Sequence, residues 1–328
     1  MLRFFDGFES QTATEWTNQS GIWSLIAAGR LGGNAVDVSG NCLSKTVDSQ
    51  PSWFVGFGFK PPRPDMSGVF AGLMDGGTMQ VQVEFANVGT NIIVRNGGGT
   101  VLGTAVINFE QGVWHFYELN VVFSATAGSV ILKRDGATLL TLTNVNTIHS
   151  ANATADTLWL TSNNGQCLYD DVYMCDATGT RNNTFLGDCR VTLWVPTQDG
   201  VHKDFIPSTG TSHYAMVDDV PSDGDATYVS SGTVGAIDTY RTPTATFAGT
   251  VKGLKVGVTA RKDDAGNRSV GIVIGDGVDP VTQLGANFAL TTVYTRQVTA
   301  VMEINPLTGN PWTLADIQAD EFGLEVTV

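Results

Sequence analysis

The sequence predicts an all-β protein with two antiparallel β-sandwich domains and one short C-terminal helix. Runs of alternating apolar and polar residues are separated by turn residues along the whole chain, which is typical of antiparallel sheets. Glycine provides 38 of the 328 residues, whereas Asp, Glu, Lys and Arg together provide only 15%. A chain rich in glycine and poor in charge fits sheets that are connected by many tight turns.

The first domain is predicted to span residues 1–178. Its clearest strand runs from Trp114 to Phe123, where large residues alternate with small or polar ones. Because side chains alternate between the two faces of a strand, we expect Trp114 to be buried and His115 to face outward.

The strongest hairpin signal in this domain is Asp135-Gly136, which lies between the strand-like runs 129–134 and 137–142. A two-residue turn of this composition requires positive φ at both central residues. We therefore expect Gly136 to lie in the left-handed region of backbone space.

A polar tract at 177–184 predicts the domain boundary, and the second domain is predicted to span residues 185–328. It contains strand-like runs that are separated by loops rich in Asp, Gly and Pro. The strands expected there are Arg190–Val195, Thr227–Ser231, Leu254–Arg261, Ser269–Ile274, Tyr294–Ile304 and Phe322–Val328.

One helix is predicted at 314–320. Thr313 suits the N-cap position, and Asp316 three residues later completes a capping-box pattern. Ile317 is expected on the inward face. Gly323 is expected to end the helix and to begin the last strand.

Composition excludes some classes of function. Lys and Arg number 18 against 32 Asp and Glu, which gives a net charge of −14. Nucleic-acid binding needs a cationic surface that displaces counterions, so we expect no nucleic-acid partner.

No apolar run is long enough for a membrane span, and the N-terminal residues lack the pattern of a secretory signal. The four cysteines are expected to be reduced.

No catalytic constellation is evident, and the protein is predicted not to be an enzyme. Glucanases with sandwich folds place two carboxylates on one face through an E-x-D-x-E strand, and that spacing is missing here. The closest acidic strand contains Asp170 and Asp171. Adjacent carboxylates on a regular strand point to opposite faces, so one is expected to face solvent and the other to bind nearby loop amides.

The first half resembles the laminin-G/concanavalin-A-like jelly-roll superfamily. The resemblance lies in the opening FFDGFES (4–10), the Trp114 strand with its Asp-Gly hairpin, and the closing LYDDVYM (168–174). It implies a jelly-roll sandwich. In that superfamily a calcium ion is sometimes bound at the rim of the sandwich.

The calcium candidates in this sequence are Asp218, Asp219, Asp223 and Asp225, which lie within eight residues of each other. Hard cations favour several carboxylate and carbonyl oxygens. The alternative is an exposed acidic turn in which each Asp caps its own backbone.

The glycan-binding candidates are Trp16, Trp23 and Trp53, which lie near loops that contain Gly and Ser. Sugar-binding sites stack pyranose rings on aromatic side chains that combine an apolar face with a polar edge. The alternative is that these tryptophans belong to the core of the sandwich.

The second half resembles a module of bacteriophage virion proteins. The blocks that carry the resemblance are FLGDCRVTLWVPTQDG (185–200), VDDVPSDGDATYV (217–229), ARKDDAGNRS (260–269) and NPLTGNPWTLADIQADEFGLEV (305–326). The resemblance implies a non-catalytic virion structural protein of the tail, its fibres or its appendages, assembled in the bacterial host cytoplasm. Its expected partners are other virion proteins, further copies of itself and host-surface glycan. The alternatives are a capsid decoration protein and a glycan-binding lectin-like module.

Overall fold

The computed structural model describes residues 1–20, 23–38, 40, 42–61, 67–87, 89–162, 167–278 and 280–328, with only the backbone described for Ser20 and Trp23. The chain divides into two compact units, Met1–Thr192 and Leu193–Val328. The regular secondary structure of both units is almost entirely antiparallel strand, which confirms the predicted fold class. No helix in the described ranges is long and apolar enough to span a membrane.

Unit 1 forms two antiparallel sheets. In chain order its described strands are β1 (Leu2–Asp6), β2 (Asn18–Ser20), β3 (Trp23–Ile26), β4 (Ala35–Val38), β5 (Cys42–Gln50), β6 (Ser52–Lys60), β7 (Gly68–Asp75), β8 (Thr78–Ala86), β9 (Asn91–Asn96), β10 (Val101–Val106), β11 (His115–Val122), β12 (Gly128–Arg134), β13 (Ala137–Val145), β14 (Ala155–Thr161) and β15 (Leu168–Asp176). The eight-stranded sheet has the order β13-β12-β11-β6-β15-β4-β3, with β1 also paired to β15. The seven-stranded sheet has the order β10-β9-β8-β7-β14-β5-β2.

The two sheets of unit 1 enclose one aromatic core. Phe59 and Tyr117 come from the eight-stranded sheet, and Phe70 and Phe85 come from the seven-stranded sheet. The Phe70 and Phe85 rings stack with centroids 4.5 Å apart, and the Phe59 ring lies 5.1 Å from that of Phe70. Truncating such a buried ring to alanine typically costs about 3–5 kcal/mol, so these contacts are a main source of stability for the sandwich.

The Asp135-Gly136 hairpin forms as predicted. Asp135 has φ of 51° and Gly136 has φ of 78°, and the two residues connect β12 to β13 directly.

The inward and outward side chains of β11 are shifted by one residue from the prediction. Tyr117 and Leu119 face the core, so His115 lies on the inward side and is buried, with Nδ1 2.6 Å from Asp135 Oδ2. Trp114 lies just before the strand and is only half-buried. The prediction was wrong because both faces of β11 are covered, and alternation then gives no contrast between inside and outside.

Unit 2 forms a six-stranded sheet and two two-stranded sheets. Its described strands are β16 (Gln198–Lys203), β17 (Ile206–Pro207), β18 (Val229–Ser230), β19 (Ile237–Arg241), β20 (Gly257–Ala260), β21 (Ser269–Gly275), β22 (Thr282–Gln283), β23 (Phe288–Ala289), β24 (Thr295–Val298) and β25 (Glu321–Val326). The larger sheet has the order β16-β19-β25-β21-β22, with β23 also paired to β21. The small sheets pair β17 with β18 and β20 with β24. A short 3₁₀ helix spans Tyr214–Met216, and helix α1 spans Leu314–Ala319.

Helix α1 confirms the predicted capping box. The Thr313 side chain accepts from the Asp316 N–H at 3.1 Å, and the Asp316 carboxylate accepts from the Thr313 N–H at 2.8 Å. Ile317 is buried, as is Trp312 beside the helix. The helix ends before Gly323, which lies inside β25 rather than at its start.

The segment 185–192 lies in unit 1 and forms no strand, although the sequence predicted a strand from Arg190. It is held against the outer face of the eight-stranded sheet by buried acceptors. The Gly187 N–H donates to Glu118 Oε1 at 2.9 Å, and the Val191 N–H donates to Asp171 Oδ1 at 2.7 Å. These side chains supply the acceptors that a neighbouring strand would otherwise provide.

Candidate functional site

A row of residues crosses the seven-stranded sheet from β2 to β9. Each member lies directly opposite the next on a neighbouring strand. We call this set the Trp159 row, and in order its members are Asn18, Ser44, Trp159, Gly72, Gln82 and Arg95.

The Trp159 row lies on the face of the sheet that points away from the core. Leu158 and Leu160, on either side of Trp159, are fully buried core residues. The residues on either side of Gln82 also belong to the core. Because successive side chains of a strand point to opposite faces, Trp159 and Gln82 face outward.

Trp159 provides an aromatic surface on this outer face. Its side chain is half-buried, and its indole N–H has no hydrogen-bond acceptor within the part of the chain that the structure describes. Gly72 lies opposite it on β7, and the Met79 side chain covers the space above this glycine. A Cβ at Gly72 would lie 2.6 Å from Met79 Sδ, so the missing side chain makes room for the thioether over this glycine.

Polar side chains with unused hydrogen-bonding capacity stand on both sides of Trp159. The side-chain amides of Asn18 and Gln82 form no hydrogen bond with any described residue. Arg95 donates from Nε to Glu84 Oε1 at 2.7 Å and from Nη1 to the Gly99 carbonyl at 3.1 Å. Its Nη2 has no acceptor among the described residues.

Gln80, two residues before Gln82 on the same strand, shows what a structural glutamine looks like in this fold. It is fully buried. Its Nε2 group, with two N–H donors, lies 2.9 Å from three oxygens of the loop 149–154, and its Oε1 accepts from two backbone N–H groups of that loop. Gln82 has none of these contacts, so its amide is available to an external molecule.

The arrangement is suited to a sugar. An indole ring can stack on the apolar face of a pyranose, while amide and guanidinium groups at its edge bind ring hydroxyls. Sites that use a few placed polar groups around an apolar surface are typical of small-molecule recognition.

Two of the tryptophans predicted to bind glycan belong to the core instead. Trp16 is buried, with its Nε1 donating to Asp6 Oδ2 at 2.7 Å. Trp53 is fully buried, with its Nε1 donating to the Ala155 carbonyl at 2.8 Å. Neither ring offers a face to solvent. The side chain of Trp23 lies outside the described part of the structure.

The calcium candidates of unit 2 are Asp218, Asp219, Asp223 and Asp225. The Thr227 hydroxyl, with its single hydrogen, lies 2.9 Å from a carboxylate oxygen of Asp219 and 2.9 Å from one of Asp223. Asp225 pairs with Arg261 at 2.8 Å and accepts from the Tyr294 hydroxyl at 2.9 Å. No group of three or more His, Cys, Asp or Glu in the described ranges could hold a metal ion.

The prediction that one carboxylate of Asp170 and Asp171 faces solvent is wrong, whereas the predicted hydrogen bonding to loop amides is confirmed. Both carboxylates are buried, because a register shift in β15 and a φ of 51° at Asp171 break the regular alternation. The Arg30 backbone N–H donates to Asp170 at 2.7 Å, and Arg30 Nε donates to Asp171 at 2.9 Å.

This buried pair has perturbed acidity. Burial, and then the charge of Asp171, raise the pKa of Asp170 to about 8. Burial also raises the pKa of Asp171, although Arg30 and the Val191 N–H oppose that shift. A raised pKa is often a sign of catalysis, but both carboxylates are closed to solvent and bound to the protein itself.

A second buried polar cluster lies in unit 2. His213 Nδ1 is 2.9 Å from Asp238 Oδ1, and the Tyr240 hydroxyl donates to Asp238 Oδ2 at 2.6 Å. Burial and the neighbouring Asp238 raise the pKa of Tyr240. All three side chains are buried, so the cluster stabilises the unit and offers no surface to a substrate.

No protein-family model matches this chain, and no curated protein matches it. Solved structures with a similar fold include the cellulose-induced protein Cip1, at 16% identity and a TM-score of 0.43, covering 55% of this chain and 99% of that chain. The carbohydrate-binding module CBM66 from Bacillus subtilis is 10% identical, with a TM-score of 0.34, and the match covers 48% of this chain and 93% of that one.

The alginate lyase AlgAT5 of polysaccharide lyase family 7 is also similar, at 10% identity and a TM-score of 0.33, with 48% of this chain and 83% of that chain covered. Such neighbours therefore include both a binding module and a lyase. At these identities and TM-scores, activity and ligand have to be argued from the residues of this chain.

Proposed function

We propose that this protein is a non-catalytic glycan-binding protein and that the Trp159 row is its binding surface. The observation that carries the proposal is the half-buried indole of Trp159, which lies in one row with the side-chain amides of Asn18 and Gln82, and these amides have no partner in the described structure. Polar groups that are not needed by the fold are available to bind sugar hydroxyls, and the indole supplies the apolar contact.

Binding without catalysis is favoured by the carboxylates near the row. Hydrolysis of a glycosidic bond needs two carboxyl groups on either side of the bond. Glu84, next to the row, is paired with Arg95 at 2.7 Å. Asp170 and Asp171 are buried on the other sheet and bound to Arg30.

The test is a binding screen against immobilised polysaccharides with matched tryptophan variants. We expect Trp159→Ala to weaken binding by roughly tenfold or more, because the stacking surface is lost. Trp114→Ala, a change at another half-buried tryptophan of unit 1, should leave binding unchanged. Circular dichroism should show that both variants are folded, and no reducing ends should be released. Equal binding by Trp159→Ala and the unaltered protein would refute the proposal.

A second proposal concerns unit 2 and follows from its surface. Large apolar side chains that are between 50% and 70% exposed occur at Val201, Ile206, Val234, Val278 and Val293. Apolar side chains and a low content of charge make a surface inexpensive to desolvate in a protein–protein contact. Together with the resemblance of this half to virion proteins, they support a structural role in a phage particle. The tail, its fibres or its appendages are the proposed location, and a capsid decoration protein is the alternative.

In this proposal the protein assembles into the virion in the host cytoplasm, with further copies of itself or with other virion proteins. A stable interface buries on the order of 1,200–2,000 Å². Mass spectrometry of purified particles is the direct test, and we expect the chain at fixed stoichiometry. Recovery of the chain only as a soluble monomer outside the particles would refute the virion role without affecting the glycan-binding proposal.

A further inference from the structure

We infer that the ligand is an extended, uncharged oligosaccharide that lies across the strands along the Trp159 row. This inference rests on the proposed glycan-binding function and specifies the length, direction and charge of the ligand. Three features of the row support it: its span, its shallow relief and its charge.

The span of the row exceeds one sugar ring. Arg95 is three strands away from Trp159, which at the usual spacing of strands is on the order of 14 Å. Asn18 is two strands away on the other side, on the order of 10 Å. A monosaccharide stacked on Trp159 would reach neither end, whereas a chain of several sugars that runs perpendicular to the strands would reach both.

The side chains next to the Trp159 indole are small, so the surface of the row is shallow there. Ser44, the direct neighbour on β5, has a small side chain that is 7% exposed. On the other side Gly72 has no side chain, and the thioether of Met79 fills that position. Neither neighbour is a long charged residue. The row therefore presents a shallow track that continues on both sides of Trp159.

The charge of the row favours a neutral ligand. Arg95 is its one charged member, and its charge is largely balanced by Glu84, 2.7 Å away. The side-chain amides of Asn18 and Gln82 suit hydroxyl groups, which both donate and accept. The net charge of −14 repels polyanions, so uronate-rich or sulfated chains are expected to bind more weakly.

Isothermal titration calorimetry with three neutral series tests the inference. The probes are β-1,4-linked glucose, xylose and mannose oligomers from monosaccharide to hexasaccharide, with oligouronates as the charged series. In at least one neutral series we expect affinity to rise with length up to about five sugars. Asn18→Ala and Arg95→Lys should each weaken binding of the longest oligomers by roughly three- to tenfold and leave the disaccharide unchanged. Thr138→Ala, on the other sheet, is the control.

The outcomes separate this inference from the function on which it rests. Binding that Trp159→Ala abolishes, but that is independent of ligand length or unaffected by Asn18→Ala and Arg95→Lys, overturns the inference and keeps the function. Tighter binding of oligouronates also overturns the inference alone. Failure of every series to bind, or binding that is insensitive to Trp159→Ala, overturns both.

Discussion

Arg30 Nε donates to Asp171 Oδ2 at 2.9 Å across 141 residues of sequence, and this contact fixes the end of unit 1. The other oxygen of Asp171 accepts from the Val191 N–H, and Arg30 Nη2 donates to the Cys189 carbonyl at 2.6 Å. The same two side chains therefore bind both the last strand and the segment that follows it. This explains why the compact unit extends to Thr192.

A fragment that ends at residue 178 should be less stable than one that ends at residue 192. The shorter fragment removes one N–H donor from Asp171 and one from Glu118, whereas Arg30 and the Tyr173 hydroxyl stay bound to them. A hydrogen bond to a charged group contributes roughly 1.5–3 kcal/mol. Urea unfolding followed by tryptophan fluorescence measures the difference. Asp171→Asn in the longer fragment should give an intermediate stability. Equal unfolding midpoints for the two fragments would contradict this account.

The stability of unit 1 should fall as the pH rises because of Asp170. Its pKa of about 8 in the folded protein lies above the ordinary value of 3.8, so the folded state holds this proton more tightly than the unfolded state. The stabilising contribution is complete below pH 3.8 and is lost as the pH rises through about 8. Between those values this group gives a slope of up to about 1.4 kcal/mol per pH unit.

Asp170→Asn removes this titration and should flatten the fall in the free energy of unfolding between about pH 5 and pH 9. Asp263→Asn, at an exposed position, is the control and should keep the slope of the unaltered protein. Urea unfolding at several pH values measures how the free energy of unfolding changes with pH. A slope that Asp170→Asn leaves unchanged would show that this carboxyl is ionised in the folded state at neutral pH.

The features that sequence predicted correctly depend on neighbours in the chain. The Asp135-Gly136 hairpin and the Thr313 capping box are each specified by residues within three positions of each other. The geometry of Asp171 could not be predicted in this way, because its positive φ accompanies contacts with Arg30, which is distant in sequence. A local sequence pattern does not show which distant residue will contact a given side chain.

The candidate site was missed for a related reason. Trp16 and Trp53 were predicted to bind glycan because they lie near loops that contain Gly and Ser. The packing of the two sheets decides which side chains are buried, and it buries both tryptophans in the core. The sequence around Trp159 does indicate that this side chain faces outward. It stands between Leu158 and Leu160 in a strand, and two flanking leucines that face the core place it on the outer face.

The four cysteines should differ in reactivity. All are free thiols; Cys167 and Cys175 are fully buried, whereas Cys42 and Cys189 are half-buried. Burial raises the pKa of Cys167 to about 12, which suppresses the reactive thiolate. Iodoacetamide labelling of the folded protein, followed by peptide mass spectrometry, should modify Cys42 and Cys189 first. Labelling in denaturant should modify all four at similar rates, and early modification of Cys167 in the folded protein would contradict this.

The hairpin between β12 and β13 should tolerate asparagine but not valine at Gly136. A Cβ at Gly136 would meet no atom within 4 Å, so the cost of a substitution comes from its φ of 78° rather than from crowding. Gly136→Val should lower the free energy of unfolding by roughly 1–2 kcal/mol, because β-branched residues resist that region. Gly136→Asn, which tolerates it, should cost clearly less. Urea unfolding of both variants measures the two costs at one site, and equal losses would show that crowding rather than backbone conformation decides this position.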